Sequence, residues 1–216
     1  MSPKKFVNAL SDLNFEDTFN PYSSQCPVHD LPHAAPLRKR TLLAILTEAA
    51  QRDVDSLWIG RDLGYRGGRR TGLALTDDMH LDLYANRWGL EVQRPTKGPP
   101  IEERTAAVIW SVLAPVPSSI VLWNVFPLHP HERGNPFSNR AHNSSEGKIG
   151  EEFLAALLVM LRPTRLIAIG NDAARVALRI AGTREVCKVR HPSYGGQTEF
   201  LQQIRALYKV SAKNRV

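Results

Sequence analysis

VDSLWIG, residues 54–60, runs without a break into RDLGYRGGRRTG, residues 61–72. A short run of Val, Leu, Trp and Ile that stops on a glycine-rich segment reads as a strand buried on both faces, the kind found in parallel sheets. Three further runs repeat the pattern: SIVLWN (119–124), RLIAIG (165–170) and REVCKVR (184–190). The last is more polar and alternates, which suits an edge or half-covered strand. Helical periodicity fills the intervals. TLLAILTEAAQR precedes the first strand, and HLDLYANRWGL and IEERTAAVIWSVL separate it from the second. SEGKIGEEFLAALLVMLR has Ser145 as the expected N-cap and Pro163 just past its end. NDAARVALRIAG opens on an Asn171 cap and closes on Gly182, and TEFLQQIRALYKV ends the pattern. Strands alternating with helices predict a layered α/β sheet. Residues 1–40 follow no period, apart from one short helix expected near Phe6–Leu13. They read as an N-terminal extension to a domain spanning 41–216.

The 216 residues hold enough apolar side chains, 43%, for a sizeable core. Lys and Arg outnumber Asp and Glu by 28 to 21, a net charge of +7. That bias favours polyanions, and arginine predominates in the clusters, where its planar fork suits phosphate. Cys26 and Cys187 provide neither a disulfide framework nor a cysteine cluster for zinc or iron–sulfur. With no signal-like leader and no apolar run of membrane-spanning length, a soluble cytoplasmic protein is expected, in a bacterial cytosol or nucleoid. No membrane partner and no metal or other cofactor is expected.

In open α/β sheets ligands bind outside the carboxyl ends of the strands. Those ends read Gly60-Arg61-Asp62, Asn124-Val125-Phe126-Pro127, Gly170-Asn171-Asp172 and His191-Pro192-Ser193-Tyr194. A parallel sheet brings Asp62, Asn124 and His191 to one rim. A carboxylate stabilises developing positive charge or orients water. A carboxamide matches a ring that presents N–H beside C=O, and an imidazole donates to an oxygen gaining negative charge. Such a trio suits cleavage of a glycosidic bond to a heterocyclic base. Each residue also has a plainer reading: Asp62 neutralised by Arg61, Arg66, Arg69 and Arg70, Asn124 capping a turn, and His191 in a proline-fixed loop. His129-Pro130-His131-Glu132 lacks zinc-site spacing and reads as a surface or substrate-facing loop. Gly67-Gly68-Arg69-Arg70-Thr71 lacks the Gly-Lys-Ser/Thr ending of a nucleotide loop. Trp58, Tyr84, Trp88, Trp110 and Trp123 read as core.

Four segments, taken in order, resemble the uracil-DNA glycosylase superfamily: GRDLGYRGGRRTGLALT, WNVFPLHPHERGNPFSN, LRPTRLIAIGNDAARVAL and RHPSYGGQTEF. The resemblance spans roughly residues 54–205. It implies a three-layer α/β/α fold with a central, mainly parallel four-stranded sheet, and metal-independent removal of a flipped-out base from DNA. It implies Asp62 as the acid that orients water or stabilises the sugar cation, with Asp78 as the alternative acid. Asn124 would read the base edge, and His191 would support O2 of the departing uracil. Gly60, Tyr65 and Phe126 would line the base pocket. Arg61, Arg66, Arg69, Arg70 and Ser193 would contact the DNA backbone, and Tyr194 would fill the vacated stack. The chain departs from the family pattern in lacking the cluster cysteines of the nearest branches and in carrying Leu75 where relatives place an aromatic. The partners implied are uracil-containing DNA, single- or double-stranded, with free uracil as product and the protein acting as a monomer. A non-catalytic protein that binds damaged or abasic DNA is the alternative from another class. A hydrolase of free nucleosides would lack the salt dependence of a DNA binder.

Overall fold

The computed structural model describes residues 1–210. A four-stranded sheet runs in the order β3-β2-β5-β6. Its strands are β2 (Ser56–Asp62), β3 (Ile120–Phe126), β5 (Arg165–Ile169) and β6 (Glu185–Val189). All three pairings are parallel. Each expected strand is present, and the polar fourth run forms an edge. A second, two-stranded pairing, β1 (Thr18–Phe19) with β4 (His129–Pro130), is antiparallel and has no apolar run to announce it.

The sequence of side chains along adjacent strands assigns the faces. Ile59 lies opposite Trp123 and Trp58 opposite Leu122, so the two tryptophans point to opposite sides. Trp58 packs on Phe200 and Tyr208 of α8 (Gln197–Tyr208). Trp123 packs on Phe6 of α1 (Pro3–Ser11) and Phe153 of α6 (Ser144–Leu161). α5 (Arg104–Leu113) joins α8 on the first face, and α7 (Asn171–Ile180) joins α6 on the second. Right-handed crossovers require this division, because the chain steps one way from β2 to β3 and the other way from β3 to β5 and β6. The chain therefore leaves β2 towards one face and leaves its two neighbours towards the other. That divergence opens a crevice at the carboxyl rim. On the outer edge of β3, the Tyr84 hydroxyl in α4 (Leu81–Arg87) accepts the Leu122 N–H at 2.8 Å and satisfies an otherwise unpaired donor.

Local chemistry corrects two expected caps. α6 is capped by Asn143 rather than Ser145: the Asn143 side chain accepts from Glu146 N while Glu146 returns to Asn143 N, a reciprocal box. α7 is preceded by Gly170 at φ 87, and Asn171 is its first helical residue. The glycine is needed there, since a Cβ at that position would meet the His191 Cβ at 3.3 Å as well as a left-handed backbone.

The boundary expected at residue 40 falls inside α2 (Ala34–Ala50). The preceding segment enters the core: Phe6, Val7 and Leu10 are fully buried. Tyr22 donates its hydroxyl to Gly72 O at 2.7 Å, and Arg38 Nε donates to Arg70 O at 2.7 Å. Arg38 also forms a buried bidentate pair with Asp30, whose second oxygen accepts the Cys26 N–H. Residues before 41 thus brace the arginine-rich loop from beneath. Removing one member of a buried pair strands the other as an uncompensated charge, at a cost of about 3–5 kcal/mol. Arg38→Met is expected to lower the unfolding free energy by about that amount, read from urea denaturation.

Candidate active site

The parallel register sets Gly60 directly beside Asn124. A Cβ on residue 60 would fall 2.4 Å from Asn124 Oδ1 and 2.9 Å from Leu75 Cδ2, so only glycine leaves room for the carboxamide. Asn124 is 1% exposed, and among the described residues neither its Oδ1 nor its Nδ2 has a hydrogen-bond partner. Leu75, at φ 56, is half-buried against the same spot. A fully buried carboxamide with both ends unsatisfied is costly, on the order of 1–3 kcal/mol for each stranded group. Its geometry offers one donor and one acceptor side by side.

Asp62, two residues further along β2, is 7% exposed at its side chain. Its Oδ2 accepts from Arg61 Nε at 2.7 Å. Its Oδ1 accepts from His142 Nδ1 at 2.5 Å. Arg61 reaches on to Asp172 at 3.3 Å. His142 lies in the irregular segment between β4 (His129–Pro130) and α6. Eighty residues separate it from Asp62, and no local pattern signals the pair. His142 and Arg61 also line a cleft beside α7 with Asp172, Arg175 and Arg179.

His191 leaves the end of β6 and packs on Gly170. Ser193 N–H donates to its Nδ1 at 3.1 Å. Burial, then the positive charges of Arg61 and Arg190, hold its pKa below the ordinary histidine value. The neutral ring that results, with Nδ1 accepting, carries its proton on Nε2 and presents that N–H as a donor. Ser193 Oγ lies 3.5 Å from Thr105 Oγ1, so two hydroxyls meet beside the first turn of α5. Tyr194 stands at the loop tip, 99% exposed and at φ 53, an uncommon conformation for an aromatic residue.

The structure divides the remaining expected site residues. Tyr65 is half-buried, and its hydroxyl accepts from Arg66 Nε at 2.7 Å. Arg61 and Arg66 are exposed. Arg69 and Arg70 are not: they are 5% and 4% exposed. Arg69 lies 3.7 Å over the Phe19 ring and meets His129 Nδ1 at 3.1 Å. Arg70 pairs with Asp78 at 2.7 Å. Asp78 also accepts from Thr96 Oγ1 and Ile101 N, and its side chain is fully buried. The assignment of Arg69 and Arg70 to the DNA backbone and of Asp78 to catalysis is therefore corrected: all three are interior, with their hydrogen bonds turned inward. Phe126 is fully buried, with its ring against Phe15 and His142. His129, expected on a surface or substrate-facing loop, is fully buried, and burial first and then Arg69 hold its pKa down at about 3. Gly67 and Gly68 serve internal packing, because a Cβ there would strike Glu103 or Leu63 at 2.1 and 2.4 Å.

Glu103 is a further titratable group beside the loop, unremarked in the sequence. Its carboxyl lies against Gly64 and Gly67, and its pKa is pushed up to about 7 by burial first and then by the Asp77 carboxylate, with Arg66 opposing.

No protein-family model matches the chain, and no curated protein matches it. Among solved structures, the crystal structure of wild-type SMUG2 from Pedobacter heparinus superposes with a TM-score of 0.64 over 96% of each chain, at 14% sequence identity. The chain shares that protein's fold, here a helix-flanked four-stranded parallel sheet.

A carboxyl whose folded pKa exceeds its unfolded value contributes stability at low pH and loses it as pH rises. For Glu103 the window runs from its ordinary value near 4.5 to about 7. Between pH 5 and pH 8 the wild type is expected to lose on the order of 1 kcal/mol more unfolding free energy than Glu103→Gln, as read from denaturant titrations at the two pH values.

Proposed function

We infer that the protein is a metal-independent DNA glycosylase that excises uracil from DNA. The observation that carries this reading is the buried, wholly unpartnered carboxamide of Asn124 on the rim that also carries Asp62 and a donor imidazole, His191. A uracil edge, with N–H beside C=O, satisfies both ends of that carboxamide at once, which offsets the desolvation that Asn124 bears unliganded. The target base is stacked inside the duplex, so it must be extruded to reach the pocket. Its entry displaces the Leu75 side chain from beside Gly60.

Chemistry then needs little covalent help. The bond between C1′ and N1 breaks, and its electron pair leaves on uracil. His191 Nε2–H donates to O2 of that anion. Asp62 and the DNA phosphates stabilise the cationic sugar. A water oxygen bonds to C1′, and its proton passes to the Asp62 carboxylate, where His142 holds the second oxygen. Arg61 and Arg66 supply the exposed cations for the backbone, and Ser193 with Thr105 the hydroxyls. Tyr194 occupies the gap left in the stack. An aliphatic Leu75 in place of a stacking aromatic leaves lateral room for larger or oxidised bases.

One observation favours a second reading, a non-catalytic binder of damaged or abasic DNA. Both Asp62 oxygens are already hydrogen-bonded, to Arg61 and His142. Free-base release from a uracil-containing oligonucleotide separates the two. Release is expected, and a mobility shift without release would decide for the binder. Asp62→Asn is expected to lower the single-turnover rate about 100-fold or more with little loss of DNA affinity; full excision by that variant refutes its role. Tyr194→Ala is expected to weaken excision from duplex more than from single-stranded DNA. Equal losses on the two substrates would remove Tyr194 from the stack.

A further inference from the structure

The segment between β4 and α6 touches the first-motif loop at two points. Asn139 Oδ1 accepts the Tyr65 backbone N–H at 2.9 Å. His142, three residues on, holds Asp62. Both partners lie more than 70 residues further along the chain than the groups they hold.

Two anchors hold this segment. The first is Arg140, which lies between the contacts. Both of its terminal nitrogens donate to Glu146, at 2.7 Å each, and its Nε donates to His131 O at 3.0 Å. Glu146 is fully buried, accepts from Thr18 Oγ1 at 2.8 Å, and closes the capping box of α6. The second anchor is His129. Its Nδ1 accepts from Arg69, so the neutral ring donates from Nε2 to Ser138 O at 2.8 Å, with Asn139 Oδ1 at 3.2 Å. Arg69 in turn sits on Phe19. A continuous path of contacts therefore runs from the Phe19 ring through Arg69 and His129 to Asn139 and the Tyr65 amide.

We propose that Asn139 is a positioning residue for the excision reaction: it fixes the Tyr65 backbone from a strap whose anchor is the Arg140–Glu146 pair. In its functional half the proposal rests on the glycosylase reading. Tyr65 N–H is a donor in a loop that must hold its shape while a base enters. Losing the acceptor frees the backbone between Gly64 and Gly67, next to Asp62. A displacement of about 1 Å at a reacting group costs on the order of 100-fold in rate, so a looser Tyr65 is expected to cost about 10-fold.

The test uses the full chain and two variants. Asn139→Ala removes the acceptor, and Asn139→Asp keeps an oxygen at the same place. Amide hydrogen exchange at Tyr65 reads positioning without any chemistry. It is expected to speed up about 10-fold in Asn139→Ala, with Asn139→Asp close to wild type. The single-turnover rate on uracil-containing DNA is expected to fall about 10-fold in Asn139→Ala, with KM within about 2-fold and recovery in Asn139→Asp. Unchanged exchange at Tyr65 in the alanine variant overturns the proposal, as does faster exchange with an unchanged rate. A wild type that releases no base refutes the glycosylase reading by itself, and the exchange measurement then still decides whether Asn139 holds Tyr65.

Discussion

The parallel register of β2 against β3 is the constraint on which the site depends. It sets Gly60 opposite Asn124 and, two residues on, Asp62 opposite Phe126. Side chains alternate along strands, so a slip of one residue would send Asn124 to the opposite face and bring a bulky neighbour against Gly60. The register is defended by the core beneath it. Leu57, Trp58 and Ile59 face Val121, Leu122 and Trp123, and all six are buried. Apolar packing thereby holds in place a polar arrangement that is unfavourable on its own, an amide with both ends stranded. The disagreement with the rules of burial is thus local, inside a region that otherwise obeys them.

The sheet was legible because buried parallel strands are continuous apolar runs, and because helical periodicity between them leaves few topologies. The strand ends were legible for the same reason: Asp62, Asn124 and His191 follow apolar runs at short intervals. What escaped was everything decided by contacts across long sequence separations. GRDLGYRGGRRTG looks like one cationic loop, yet it is two different surfaces. Arg61 and Arg66 are exposed, whereas Arg69 and Arg70 turn inward. The difference comes from partners elsewhere in the chain: Phe19 and His129 for Arg69, Asp78 for Arg70. Sequence alone cannot tell an arginine that faces phosphate from one that holds a fold, because both need a cluster of polar neighbours.

The same blindness hid His142 and Asn139. Both lie in a segment without period, and each is defined by a hydrogen bond to a loop far away in sequence. Residues 1–40 were opaque for a related reason. Their lack of periodicity suggested a draped extension, but irregular chain can enter a core when its backbone groups find partners. Asn20 shows how: its carboxamide donates to Leu10 O and Leu13 O at 2.9 Å and accepts from Tyr22 N at 2.9 Å.

These buried polar contacts share a direction. The Asp30–Arg38 pair, the Arg69–His129 contact, the Arg70–Asp78 pair and the Arg140–Glu146 pair all brace loops outside the carboxyl rim rather than the sheet. Such pairs contribute little net stability relative to apolar side chains of the same size, because desolvation offsets most of their attraction. Their value is directional, since a hydrogen-bonded pair fixes orientation where packing of equal energy would tolerate slippage. A sheet of apolar strands needs no such devices to stay folded. Loops that hold Tyr65, Asp62 and His191 at set positions do need them, and the interior charges gather at the end of the molecule where the unpartnered carboxamide lies.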